Sequence, residues 1–403
     1  MTDATTGTRT ARASKFTSLE AGRAFAALIV VLFHCNETGV ESKYFGHEVL
    51  PFFRGGYSGV EFFFVLSGFV MVVAHRKDLS TGRGVGRFLW KRFQRLYPTL
   101  WAVVVPLVVV MLVGPTLRWA DSLSAGDVVA ALTAAPFPHE RVLSVEWTLR
   151  YEVVFYLLFA MTIRWRRPTL LLWLVWCVVG VTSLWFAPHG ILGFVVAPYP
   201  LIFVAGMIVG LAFERIPARV AIASLTIGSA VYLAWLAHLA ASAVKPDKLP
   251  IDALGFGVGA ALIVAGLAIL ERSGKIAAPR ILCFLGAASY SIYLVHYPAM
   301  SVLMKLAMKL RAMGAPDYAA ITLVLLTAVG AGVMCHLVVE KPLLKATRRL
   351  GDWYSERRRI GSPVVVGIPL ARARVTILAH GLGVALREPV PPFLRAGPRG
   401  GPM

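Results

Sequence analysis

Residues Leu19 to Asn36 read LEAGRAFAALIVVLFHCN. As a helix this stretch rises about 27 Å, close to the ~30 Å hydrocarbon core of a bilayer. It contains Glu20, Arg23 and His34, and ionisable groups at that depth are costly unless they have a task. The rest of the chain supports a membrane setting. Of its 403 residues 57% are apolar and 15% charged, against roughly 45–50% and 25% in soluble domains. Mean hydropathy is +0.70. These values exclude a soluble multidomain protein, a disordered chain and a collagen-like one. The four cysteines, Cys35, Cys177, Cys283 and Cys335, are widely spaced. They form no CxxC and no Cys/His metal pattern, so neither a disulfide framework nor a metal site is expected.

Seven further stretches of about 20 residues are nearly free of charge: Leu96 to Leu117, Pro168 to His189, Gly190 to Phe213, Val220 to Val244, Ala253 to Leu270, Ile281 to Met304 and Tyr318 to Val339. Two more resemble the first stretch in carrying charge. Gly55 to His75 holds Glu61, and Val145 to Ile163 holds Glu146, Arg150 and Glu152. The expected fold is therefore all-α, a polytopic integral membrane protein of about ten transmembrane helices. With Met1 inside, the cytoplasmic segments hold 26 Lys and Arg up to Ile360, and the opposite loops hold nine. That asymmetry predicts an N-in, C-in orientation. The formal net charge of +20 then records basic cytoplasmic loops touching anionic lipid, and no nucleic-acid partner is expected.

This topology places the unusual residues in depth. His34 falls near the outer end of the first helix and Glu61 in the outer part of the second. Arg150 and Glu152 start the fourth from outside, and His296 lies in the outer half of the ninth. Five ionisable groups thus share one layer. Arg23 and His34 are 11 residues apart, about 16 Å along the axis and about 20° off one face. An arginine at the cytoplasmic surface suits a phosphate, and a histidine deeper on that face suits a general base. A ligand bridging them carries phosphates at one end and a reactive group on a long thin arm, which is the shape of coenzyme A.

Six ordered blocks resemble the membrane acyltransferase-3 family. They are EAGRAFAALIVVLFH (Glu20 to His34), GYSGVEFFFVLSGFVM (Gly56 to Met71), RFQRLYP (Arg92 to Pro98), VEWTLRYEVVFY (Val145 to Tyr156), SYSIYLVHYP (Ser289 to Pro298) and VEKP (Val339 to Pro342). In detail they look most like the short branch that acetylates exopolysaccharides. The resemblance implies an O-acyltransferase of the bacterial cytoplasmic (inner) membrane. It would move an acyl group from cytosolic acyl-CoA, acetyl-CoA by family likeness, to a hydroxyl of an extracytoplasmic or lipid-linked glycan. Polysaccharide-assembly proteins would be its neighbours. Arg23 and His34 match the family's essential pair, and Glu152 matches the acidic residue of the fourth-helix block. Glu61 stands where the second block more often has Asp.

On that reading Arg23, Arg92 and Arg95 hold the CoA phosphates. His34 takes the acceptor's proton, or alternatively carries the acyl group covalently. Glu61 or Glu152 fixes the imidazole, and Trp147, Arg150 or Tyr293 donates to the oxyanion. Tyr293 and His296 also bind substrate. A proton-coupled transporter or exporter of glycans would carry similar charges, but the matching halves with broken helices that it usually shows are not found.

Domain boundaries follow: residues 1–360 form the transmembrane acyltransferase domain, and 361–403 a loosely ordered cytoplasmic tail. The tail has seven prolines and seven glycines, which cannot sustain a long helix. Truncation after Ile360 is expected to leave membrane insertion and acyl transfer largely intact. A truncated protein that inserts but no longer binds acyl-CoA would move the boundary.

Overall fold

The computed structural model describes residues 16–113, 123–136, 142–186, 188–242 and 249–360, with side chains to residue 353. The tail from Gly361 lies outside the described residues, so its expected looseness has no structural counterpart here. The described residues are helical throughout their ordered elements and include no strand. That is what hydrocarbon demands, because backbone groups there must find partners within the segment.

In chain order the helices are α1 (Thr17–Gly39), α2 (Gly59–Ala74), α3 (Arg76–Thr81), α4 (Val85–Val113), α5 (Ala125–Thr133), α6 (Trp147–Arg164) and α7 (Arg166–Val181). Then come α8 (Gly190–Val196), α9 (Tyr199–Ala212), α10 (Arg219–Ala241), α11 (Pro250–Arg272), α12 (Arg280–Ala312), α13 (Asp317–Cys335) and α14 (Lys341–Ile360). A 3-10 stretch, Pro51–Ser58, leads into α2, and a π-turn, His336–Glu340, follows α13. Nine stretches among the described residues are long and apolar enough to cross a membrane. The tenth expected span is α6, whose 18 residues carry Arg150, Glu152 and Arg164. The protein is an all-α polytopic membrane protein.

The segment from Arg76 to Arg95, expected as a basic loop, is largely helical. Gly82 at φ +65° ends α3, Gly84 at φ +96° turns the chain, and α4 begins at Val85, 11 residues before the expected span. Helix α4 shows the pattern that a membrane setting imposes. Leu96, Leu100, Val104 and Val108 are buried at four-residue spacing, while Val105, Val109 and Val113 stay exposed on the opposite face. That outer face is as apolar as the inner one because lipid, not water, meets it.

The centre is built from α1, α2, α6, α9, α11 and α12. Helix α1 packs on α2 and α12, α2 packs on α9, and α11 packs on α9 and α10. Where α2 crosses α9 the backbones nearly touch. A Cβ at Gly68 would collide with the Phe203 carbonyl oxygen, and one at Gly206 with the Val65 carbonyl oxygen. Small residues at a crossing allow this approach where lipid removes the usual hydrophobic drive between helices. The chain divides into two compact units, the first ending at Thr347 and the second beginning at Arg348; both cavities and all site residues belong to the first.

Gly206→Val should separate α2 from α9 at a cost of about 3 kcal/mol. Gly330→Ala, where a Cβ meets nothing within 4 Å, should leave the melting temperature of the detergent-solubilised protein unchanged. Equal melting of both variants and wild type would show that the crossing is not tight.

Candidate active site

A cavity of about 390 Å³ runs beside α2, whose lining residues extend from Val60 to Ala74. The fourteen steps from Val60 to Ala74 rise about 21 Å, so the space is long and narrow. Arg23 from α1 and Arg92 and Arg95 from α4 line it, as do Thr148 and Glu152 from α6 and Tyr293 from α12. Most of the remaining wall is apolar, including Leu19, Val60, Phe63 and Val70.

Each arginine is held differently. Arg23 lies 3.8 Å from Glu20 Oε1, one turn away on its own helix. Arg95 donates to Glu340, and its guanidinium lies 5.3 Å from the Tyr290 ring centroid. Arg92 lies 5.4 Å from the Phe88 ring centroid and 5.5 Å from that of Tyr156. Its Nη2 lies 3.4 Å from His75 Nε2. Glu152 accepts from the Tyr156 hydroxyl, with Ser67 Oγ 3.5 Å away.

The sequence reading missed Glu340. This carboxylate is fully buried on the π-turn, where Ser291 Oγ donates to it at 2.7 Å and His336 Nδ1 lies 2.7 Å away. It ties α4 to α12 and α13. Its signal was present, a lone acid in the VEKP block, but a charge at the end of a span reads first as the span's boundary. Glu20 and Glu146 were noted as charges in their spans but given no role, and the pair His75–Asp78 was not singled out.

Beyond the cavity the chemistry continues through rings. Tyr293 donates to the Val145 carbonyl at 3.0 Å and meets Thr148 Oγ1 at 2.9 Å. Its ring centroid is 5.8 Å from that of His296, which is 5.2 Å from that of His34. His296 is fully buried. Its Nδ1 lies 3.1 Å from the Ile292 carbonyl oxygen, so Nδ1 carries the proton and Nε2 is an acceptor. Nε2 has no partner among the described residues. His34 Nδ1 lies 3.3 Å from Glu37 Oε2, and its ring is 5.3 Å from that of Tyr297.

The expected layer of charges therefore divides. Glu152 lines the cavity with the three arginines, and His34 and His296 form a pair one turn past Tyr293. Glu61 is buried and lines a second, smaller pocket of about 170 Å³ with Tyr57, Ser183, Phe186 and Tyr199. Arg150 is buried with Glu146, at 3.5 Å. Trp147 packs against Tyr151 and Tyr199, with centroids 6.1 and 5.3 Å apart.

Apolar helices thus enclose an arginine-lined cavity, and the paired imidazoles lie beyond Tyr293 on its wall, within an all-α membrane bundle. Residues 16–336 match the Acyl_transf_3 family, an acyltransferase domain. The chain belongs to that family and is an acyltransferase. It is 32% identical over 333 residues to the exopolysaccharide production protein ExoZ of Rhizobium meliloti, covering 79% of this chain and 96% of that one. It is 27% identical over 390 residues to the acyltransferase MdmB of Streptomyces mycarofaciens, covering 84% and 94%. No solved structure gives a significant match.

Glu340→Ala should cost about 3–5 kcal/mol, because Arg95 and His336 lose a buried partner they share. An unchanged thermal melting curve would show that this network holds nothing together.

Proposed function

We propose that the protein is a membrane-bound O-acyltransferase that moves an acetyl group from cytosolic acetyl-CoA to a hydroxyl of an extracytoplasmic or lipid-linked glycan. It works in the bacterial cytoplasmic membrane in the N-in, C-in orientation, beside polysaccharide-assembly proteins. The observation that carries this reading is the narrow cavity, with arginines along its wall and the His34–His296 pair one turn beyond Tyr293. The name of the relative ExoZ supports a glycan as acceptor.

The phosphates of CoA bind Arg23, Arg92 and Arg95, where guanidinium forks match phosphate geometry. The pantetheine arm lies along α2 among apolar side chains and brings the thioester toward Tyr293. His34 accepts the proton of the glycan hydroxyl as its oxygen attacks the thioester carbonyl carbon. The C–S bond then breaks, and the imidazolium returns the proton to the departing thiolate, giving an ester and CoA-SH. Glu37, 3.3 Å from His34 Nδ1, steadies the imidazolium, the task expected of Glu61 or Glu152. Glu61, Tyr57, Tyr199 and Ser183 in the second pocket offer hydroxyl-binding groups and aromatic faces to a sugar ring.

The test is acyl transfer by purified protein from labelled acetyl-CoA to the alkali-deacylated polysaccharide of the same strain. His34→Ala should lower the rate by ~10²–10⁴ while the protein still inserts. Near wild-type transfer in that variant would remove His34 from the chemistry. Arg23→Ala should raise KM for acetyl-CoA, and Arg23→Lys should not restore it, because one ammonium cannot make the bidentate contact. CoA affinity unchanged by both would place the phosphates elsewhere.

A further inference from the structure

We propose that the buried pair Asp78–His75 is a positioning device for Arg92. It orients the guanidinium toward the donor's phosphates while leaving its charge uncancelled. The inference rests on the reading of the cavity as an acyl-CoA site.

The first observation is how the pair is built. His75 is the residue that ends α2, and α3 folds back so that Asp78 Oδ2 meets His75 Nδ1 at 2.7 Å. Arg87 Nη2 closes the other carboxylate oxygen at 2.6 Å. The return needs Gly84, at φ +96°, where a Cβ would lie 2.6 Å from Asp78 Oδ1. Both His75 and Asp78 are buried. Burial would raise the Asp78 carboxyl, but the hydrogen bonds from His75 and Arg87 hold it below its usual range. It is therefore ionised, and the imidazole proton sits on Nδ1.

The second observation is what the pair faces. With Nδ1 protonated, Nε2 presents a lone pair, and Arg92 Nη2 lies 3.4 Å from it. Phe88 meets the His75 ring edge-on at 4.9 Å and also lies beneath Arg92. Among the described residues no carboxylate stands within ion-pair distance of Arg92, whereas Glu20 attends Arg23 and Glu340 attends Arg95. Arg92 Nε is buried and has no partner among the described residues. A carboxylate placed directly on Arg92 would orient it but would also compete with an incoming phosphate. A neutral imidazole orients it and keeps its full charge.

The experiment is calorimetric titration of the detergent-solubilised full chain with CoA, together with steady-state kinetics in acetyl-CoA. His75→Leu should weaken CoA binding about tenfold, the size of one hydrogen bond to a charged group. KM for acetyl-CoA should rise with it, while kcat at saturating donor stays within about twofold. His75→Gln, whose amide oxygen can replace Nε2, should recover most of the affinity. In an Arg92→Ala background His75→Leu should have no further effect on CoA binding, because the pair acts through Arg92. Wild-type affinity in His75→Leu would overturn the proposal. So would equal losses in His75→Leu and His75→Gln, or a loss in the Arg92→Ala background as large as in wild type, either of which marks a purely structural cap. Wild-type protein that takes up no CoA would overturn the donor reading itself, and it differs from these results because the defect would precede any substitution.

Discussion

An ionised side chain cannot be left alone in hydrocarbon, and the arrangement of the whole bundle follows from how each charge is answered. Arg95 reaches Glu340 across the bundle, and that carboxylate also takes Ser291 and His336. One acid thereby fixes the relation of three helices. Arg150 is matched within its own chain segment by Glu146. At the end of α11 Glu271 accepts from both Thr17 and Ser18 and so answers the first backbone N–H groups of α1. With these pairs in place, the bundle can enclose a cavity carrying three guanidinium groups without collapsing around them.

Helix α2 is the partition of that bundle. Val60, Phe63, Phe64, Ser67 and Val70 turn to the long cavity at helical spacing, while Glu61, with Tyr57 from the 3-10 stretch before α2, turns to the second pocket. Phe64 and Tyr199, with ring centroids 5.2 Å apart, form the wall between. In the proposed reaction a thioester in the long cavity must be kept from water, and this aromatic wall separates it from the second pocket. Glu61 on the far side of this wall is better suited to hydroxyl groups than to a phosphate-bearing donor.

The spans were legible because hydrocarbon selects for composition, which survives in the sequence whatever the tertiary contacts. Helix α6 was legible in spite of its charges because its block is distinctive. The start of α4 was not, since Arg83, Arg87, Lys91 and Arg92 suggest a solvated loop and only the two glycines at 82 and 84 mark where one helix stops and another starts. Arg23, Arg92 and Arg95 were expected together, and the structure brings them to one cavity with Glu152, which the sequence had placed in the outer layer. The depth argument also put His34 and His296 in one layer, where their rings are 5.2 Å apart. Depth says nothing about azimuth, however. It could not separate Glu61 into its own pocket, or find that Arg150 is already matched by Glu146, because both depend on which way a helix is rotated. Glu340 and His75 escaped for a related reason: each sits at a helix end, where a polar residue needs no special explanation until its partners are seen.

The hydrogen bonding of the histidine pair constrains how the proposed transfer can run. The Nδ1 proton of His296 is directed to the Ile292 carbonyl of its own helix, so Nε2 can accept a hydrogen bond but cannot give one. His296 can therefore hold an incoming hydroxyl or the N–H of His34, yet it has no proton for a departing thiolate without giving up the bond to Ile292. Tyr293 is committed in the same way, its hydroxyl proton directed to the Val145 carbonyl. Of Tyr293, His296 and His34, it is then His34 that can both receive the acceptor's proton and deliver it to sulfur in the proposed transfer. A single imidazole performing both transfers must stay within reach of the attacking oxygen and the leaving sulfur at once, which requires donor and acceptor to approach it together. The tyrosine and the second histidine contribute by fixing that approach.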